Sequence, residues 1–265
     1  MNLLQVGVGS GGIAVLDLLA RDPAVDAITL VDPDVYKPHN VVRHLFPPSA
    51  VGRMKTDLAR DWVTAIRPDL RIETLVAAVG AAEHAEALDR IAAHADFGIC
   101  AVDGEAAKFA FDALMRKHHK PWTLGEVLSG GIGGFVHGFV PDGPCYGCVA
   151  SFLQRSVPTD DAKAPDYSQP GGPTPETAVP ASKTSIAIVS GLQAQLASRM
   201  MKGETPDFTS MLLTLERVPG VFDEAFRPFK FRIARSPECL ICRGDSAPAD
   251  LDRALADALD RLRHA

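Results

Sequence analysis

Aromatic residues make up only 6% of this chain, cysteines number five, and no apolar run reaches the roughly 18 residues of a membrane-crossing helix. A membrane partner is therefore not expected. Positive charge is also scarce. Lys and Arg total 27 against 33 Asp and Glu, for a formal net charge of −6 and no basic run, so nucleic acid is not expected as the main partner. The start, Met1-Asn2-Leu3-Leu4-Gln5, has no basic region and enters glycine-rich sequence by Gly7. That is unlike a secretory leader, and a cytoplasmic location is expected. What the chain does have is 265 residues, 46% of them hydrophobic, enough to bury a core without disulfides.

The first half alternates short β-branched runs with helical periodicity. Strands are predicted at 3–8, 27–31, 71–76 and 97–102, and helices at 12–20, 56–66, 82–95 and 105–118. That alternation implies βαβ units and a Rossmann-like, mostly parallel sheet with helices on both faces. The second half reads differently. Runs at 135–140, 211–215 and 229–233 predict antiparallel strands extending the sheet. A Pro-, Gly-, Thr- and Ser-rich loop at 156–183 leads into an apolar helix at 184–201, and an amphipathic helix is expected near 249–263. Gly130 to Gly134 reads as turn structure before a strand, and His118, His119 and His137 as surface or helix-end residues.

Gly7, Gly9 and Gly12 lie between the first predicted strand and helix. Small residues there let backbone approach phosphate oxygens at a helix N-terminus. Asp32 ends the second strand twenty residues after Gly12, where a carboxylate can accept both hydroxyls of a ribose. These features alone fit NAD as well as ATP. Cys145-Tyr146-Gly147-Cys148 and Cys239-Leu240-Ile241-Cys242 form two knuckles able to close a tetrahedral four-cysteine site, for which Zn²⁺ is the expected ion and a structural role the expected one. Two redox pairs are the alternative, disfavoured because neither knuckle is expected to open a helix after a strand. Cys100, in an apolar strand, reads as a small core residue.

The segment after the second strand narrows the nucleotide. It carries Asp32-Pro33-Asp34, then Asn40-Val41-Val42-Arg43, then Gly52-Arg53-Met54-Lys55, and later Cys100-Ala101-Val102-Asp103. With the glycine loop, this series resembles the E1-like adenylating family, whose bacterial members include ThiF and MoeB. The resemblance implies ATP and Mg²⁺ as cofactors. It implies an adenylyltransferase that joins AMP to the C-terminal carboxylate of a small ubiquitin-like or sulfur-carrier protein ending in Gly-Gly. Carried over position by position, Asp32 corresponds to the ribose ligand and Asp34 to the second acid of the Asp-x-Asp pair. Asn40, Arg43 and Lys55 correspond to triphosphate contacts, and Asp103 to the Mg²⁺-directing carboxylate; Arg43, Lys55 and Asp103 would carry the catalysis.

One adenylation domain over 1–265 is then expected, with a nucleotide-binding half at 1–126, a substrate and zinc half at 127–248 containing the crossover loop, and a C-terminal helix at 249–265. A homodimer is expected from the same resemblance. The sequence departs from the family pattern at His44, where Gln is usual, and at Gly104 and Lys108, where Asn and Arg are usual. The arginine that many relatives carry on an N-terminal helix and extend into the partner's ATP site has no counterpart in this sequence. The crossover loop holds no cysteine, so the acyl group is expected to stop at the adenylate or pass to an external nucleophile, such as a separate cysteine-bearing protein. A peptide or a tRNA carboxylate would be alternative substrates within the fold. An NAD-linked oxidoreductase would use the glycine loop and Asp32 but leave Arg43, Lys55 and Asp103 without a role. A degenerate subunit of a heterodimeric activating enzyme is the remaining alternative.

Overall fold

The computed structural model describes residues 1–153 and 180–243. Eight strands form one sheet: β1 (Asn2–Val6), β2 (Ala27–Val31), β3 (Arg71–Leu75), β4 (Phe97–Cys100), β5 (Trp122–Val127), β6 (Gly133–Phe139), β7 (Ser210–Thr214) and β8 (Pro228–Phe231). Their order is β3-β2-β1-β4-β5-β6-β7-β8. The first five run parallel and the last three antiparallel. This is the α/β class and mixed sheet that the alternation of patterns predicts.

Among the described residues six helices cover the faces: α1 (Ser10–Leu19), α2 (Lys55–Ile66), α3 (Ala85–His94), α4 (Glu105–Lys117), α5 (Tyr146–Phe152) and α6 (Lys183–Met201). Period-two alternation along the strands decides which face each residue serves. Leu3, Ile28, Leu30 and Ile99 pack with Ile13, Leu16, Val63 and Ala197 on the side of α1, α2 and α6. Leu4, Val6, Cys100, Trp122 and Leu124 pack with Leu88, Phe111, Met115 and Val149 on the side of α3, α4 and α5. Cys100 is thus a core residue, and burial pushes its thiol up to about 12, which removes it as a nucleophile. Among the described residues, no helix is long and apolar enough to cross a membrane.

Two elements have no counterpart in the sequence reading. β5 carries Gly125 and Glu126 in place of a β-branched run, yet it is central. Gly125 is there because a Cβ would lie 2.4 Å from Oε1 of Gln193 on α6, whose amide donates to Cys100 O at 2.8 Å. α5 is a seven-residue helix with Cys145 as its N-cap. The first knuckle therefore does open a helix, contrary to expectation. Two further readings are corrected. Gly133 and Gly134 lie inside β6, where side chains would strike Leu213 O and Val189. His137 is fully buried in the middle of that strand, not on the surface. The predicted helix near 249–263 and residues 156–179 of the predicted loop lie outside the described residues.

Candidate active site and a cysteine cluster

The strand order reverses at β1, with β2 on one side and β4 on the other. A crevice therefore opens at the carboxyl ends of β1 and β4, the place where open α/β sheets put their ligands. Gly7, with φ +87°, turns the chain out of β1; a Cβ on it would stand 2.4 Å from Ala101 O. A Cβ on Gly12 would stand 2.1 Å from Gly7 O, so α1 can press against the loop only with glycine there. Gly9 is different, because a Cβ on it would meet nothing within 4 Å. Gly7 and Gly12 close the loop, and Gly9 leaves a space above it. That space faces the N-terminus of α1, which has no side-chain cap and no acidic residue in its first turn, so its leading N–H groups are available to an anion. Gln5, a residue the sequence reading passed over, locks this arrangement. Its buried amide donates to Gly7 O at 3.1 Å and to Gly12 O at 2.8 Å.

Asp32 is buried just beyond β2. Its two oxygens accept from Val8 N at 2.6 Å and Asp34 N at 2.8 Å, tying the glycine loop to β2. Burial raises its carboxyl above the usual range, opposed by Lys55 and by both N–H donors. Each oxygen keeps a lone pair for a further donor. Lys55 is the first residue of α2, buried along its stem, and its ammonium pairs with Asp34 at 2.6 Å. Asn40 spends its side-chain oxygen on Lys37 N at 2.8 Å, closing the turn that carries Arg43 and His44. His44 is 2% exposed and donates from Nε2 to Val8 O at 3.0 Å, while its Nδ1 has no partner. Burial, with Lys55, Lys183 and Arg43 nearby, pushes its pKa down to about 4, so the ring is neutral. Lys183, at the start of α6, donates to His44 O at 3.0 Å. It is a cation of this region that the sequence reading left at the end of a polar loop.

Asp103 stands in the loop after β4, exposed, and among the described residues it makes no hydrogen bond or ion pair. The alternative role of helix cap does not apply, since α4 is N-capped by Gly104 without a side-chain bond. The structure thus places Gly7, Gly9, Gly12, Asp32, Asp34, Asn40, Arg43 and Lys55 around the loop after β1, and Asp103 across the crevice after the neighbouring strand.

Lys108 is turned away from solvent. It is 4% exposed and donates to Glu105 at 2.7 Å and Glu126 at 2.5 Å. Burial alone would lower its pKa, but the two carboxylates reverse this and raise it, so the ammonium is charged. Glu126 also accepts from Nε2 of His137 at 2.8 Å, and Nδ1 of that ring meets Ser210 Oγ at 2.7 Å. Tyr146 donates its hydroxyl to Glu105 at 2.8 Å. This chain of contacts joins α4, α5, β5, β6 and β7.

The four knuckle cysteines come together as a separate cluster. Their sulfurs all lie within 4.8 Å of one another, with Cys145–Cys239 at 3.5 Å, Cys148–Cys242 at 3.6 Å and Cys145–Cys148 at 3.8 Å. A tetrahedral zinc site with Zn–S of about 2.3 Å spaces its sulfurs about 3.8 Å apart, so this donor set fits the ion. Burial raises the thiols of Cys145 and Cys148, which a divalent cation would reverse. Four sulfurs in one cluster, not two separate pairs, outweigh the redox alternative even though Cys145 caps a helix.

Comparison with known proteins agrees with this geometry. Residues 1–240 match the ThiF family. The chain is 24% identical to the SAMP-activating enzyme E1 of Haloferax volcanii, over 91% of this chain and 80% of that one. It is 26% identical to the molybdopterin-synthase adenylyltransferase of Escherichia coli, over 91% of this chain and 86% of that one. Among solved structures, Escherichia coli MccB with ATP superposes with a TM-score of 0.67 at 15% identity, over 91% of this chain and 66% of that one, so the fold is shared and this chain spans just under two thirds of MccB. The glycine crevice, the acid and cation series after β2 and the family match converge: the chain belongs to the ThiF family, the E1-like adenylyltransferase family that its motifs resemble.

Proposed function

We propose that this chain is an ATP-dependent adenylyltransferase acting on the C-terminal carboxylate of a small ubiquitin-like or sulfur-carrier protein. The observation that supports the reading is the open space at Gly9 in the loop after β1, with Arg43 and Lys55 both close enough to act on His44, which bonds that loop, and with Asp103, which has no ionic partner among the described residues, in the loop after the neighbouring strand. An oxidoreductase has no use for that charge pattern. The relatives named as a SAMP-activating enzyme E1 and a molybdopterin-synthase adenylyltransferase support the substrate class.

In this reading Asp32 receives the ribose and the glycine loop with the α1 N-terminus receives phosphate oxygens. Arg43 and Lys55 offset the charge that builds as the substrate carboxylate attacks the α-phosphorus and pyrophosphate leaves. Asn40 shapes the turn that presents Arg43. Mg²⁺, directed by Asp103, would supply further charge neutralisation at the phosphates. Because the mixed anhydride conserves the activation, the next acceptor must bring its own nucleophile. Cys100 is buried and the other four cysteines are in the cluster, so no cysteine of this chain serves. A separate cysteine-bearing protein is the acceptor class that fits. Zn²⁺ in the four-cysteine cluster has a structural role. A homodimer, a cytoplasmic setting and a single adenylation domain complete the reading, and the unbroken eight-stranded sheet supports the last.

The test is exchange of labelled pyrophosphate into ATP by the purified protein. Exchange that depends on a carrier ending in Gly-Gly is the expected result. Binding of NAD in place of ATP would overturn the proposal.

A further inference from the structure

The electrostatics around His44 are unfinished in one direction only. Arg43, Lys55 and Lys183 come from three separate segments, and all three act on this one buried imidazole. Lys55 has Asp34 as its counter-charge. Lys183 has none: among the described residues its ammonium meets only the carbonyl of His44. Its place on α6 makes this worse. Lys183 is the first residue of a 19-residue helix capped by Ser182, with no acidic residue in the first turn, so the helix dipole repels the very cation the sequence puts there. Lys183 is exposed, so solvent screens most of that repulsion, and its ammonium is free to swing from the His44 carbonyl to an anion.

The surroundings place the start of α6 beside the crevice. The first turns of α6 stand between Gly131, whose Cβ direction meets Ser185, and Gly11, whose Cβ direction meets Ser190 and Ile186. Gly131 follows β5 and Gly11 opens α1, so the start of α6 lies at the carboxyl edge of the parallel strands. His44, whose carbonyl holds Lys183, itself hydrogen-bonds Val8 in the glycine loop.

We propose that Lys183 is a third cation of the polyphosphate site, parked on the His44 carbonyl until a nucleoside triphosphate or pyrophosphate draws it off. This inference rests on the adenylation reading and adds to it a contact that the family motifs do not contain. Lys183 would act on the phosphates beyond the nucleoside, favouring ATP over adenosine and steadying departing pyrophosphate.

The experiment is equilibrium binding of Mg·ATP and of adenosine to the full chain and to Lys183→Ala, Lys183→Arg and Lys202→Ala. Lys202→Ala removes the same charge from the exposed far end of the same helix. Loss of a charge-assisted phosphate contact should weaken ATP about tenfold to hundredfold in Lys183→Ala. Adenosine binding should be unchanged, Lys183→Arg should recover most of the loss, and Lys202→Ala should match the parent. A merely structural lysine would weaken ATP and adenosine together, and that result overturns the assignment. Equal ATP affinity in Lys183→Ala and the parent, with Lys55→Ala weakened, also overturns it and leaves the adenylation reading standing. Failure of the parent to bind ATP overturns both.

Discussion

Lys108 and Lys183 are two lysines near helix starts with opposite surroundings. Lys108 is enclosed by Glu105 and Glu126, which His137, Ser210 and Tyr146 extend into a buried network. Lys183 is exposed, meets one neutral carbonyl among the described residues, and acts with Lys55 and Arg43 on the same imidazole. The network around Lys108 balances its charges internally, whereas at the ends of the parallel strands Lys183 and Asp103 have no ionic partner among the described residues. A buried group with partners supports the fold; an exposed cation with no counter-ion among the described residues is free to meet a ligand. The contrast predicts that changes in the first region will register in stability and changes in the second in binding.

The largest effect should come from the cysteine cluster. Cys239→Ser should abolish stoichiometric zinc and cost several kcal/mol of stability, since structural zinc is worth about 10–16 kcal/mol in small zinc domains. Metal analysis and urea melts would check this, and a zinc-free parent protein of full stability would break the comparison at its strongest point. Next is Glu126→Ala, which leaves buried Lys108 with Glu105 alone and takes the acceptor from Nε2 of His137; breaking a buried pair outright costs about 3–5 kcal/mol, and a loss approaching that is expected. The same melts measure it, and a loss below about 1 kcal/mol would place Lys108 among exposed pairs.

His44 should come third, because its effect is conditional on pH. Its folded pKa is about 4 against 6.5 in the unfolded chain. The unfolded state therefore takes up a proton first as pH falls, and stability present above 6.5 is lost between 6.5 and 4, on the order of 3 kcal/mol. The difference in stability between the parent and His44→Gln should shrink or change sign across that window; a difference independent of pH would show that the ring is not held neutral. Smallest in stability is Lys55→Ala, whose partner Asp34 is exposed, with a change of at most about 1 kcal/mol. Its ATP affinity should nevertheless fall about tenfold to hundredfold. A melt shifted more than the binding would sharpen the comparison by moving Lys55 into the structural class.

Features that rest on local spacing were legible from residues alone. The glycine loop, Asp32, the parallel strands and both knuckles each lie within a short stretch, and their periodicity or interval carries the signal. The two missed elements lacked such a signal: β5 interrupts its apolar pattern with Gly125 and Glu126 to fit Gln193, and α5 is too short for helical periodicity to register. The Lys108–Glu126–His137 network is assembled from three elements brought together only by the sheet. One clue was available. Phe135, His137 and Phe139 alternate along β6, and both phenylalanine rings stack toward the histidine ring, so the period-two stripe put His137 on the same packed face. Lys183 had a clue too, a cation opening an apolar helix with no acid in its first turn.

Cys145 meets Cys239, and Cys148 meets Cys242, each across 94 residues of chain. Whatever fastens the knuckles closes a long loop containing α6, β7, β8 and the stretch between α5 and α6. Loop-closure entropy grows only with the logarithm of length, so doubling the loop adds about 0.6 kcal/mol. Insertions between the knuckles are therefore thermodynamically cheap, while the clasp keeps both ends in place. A lineage can thus lengthen the chain between the knuckles at little cost while the clasp holds both of its ends.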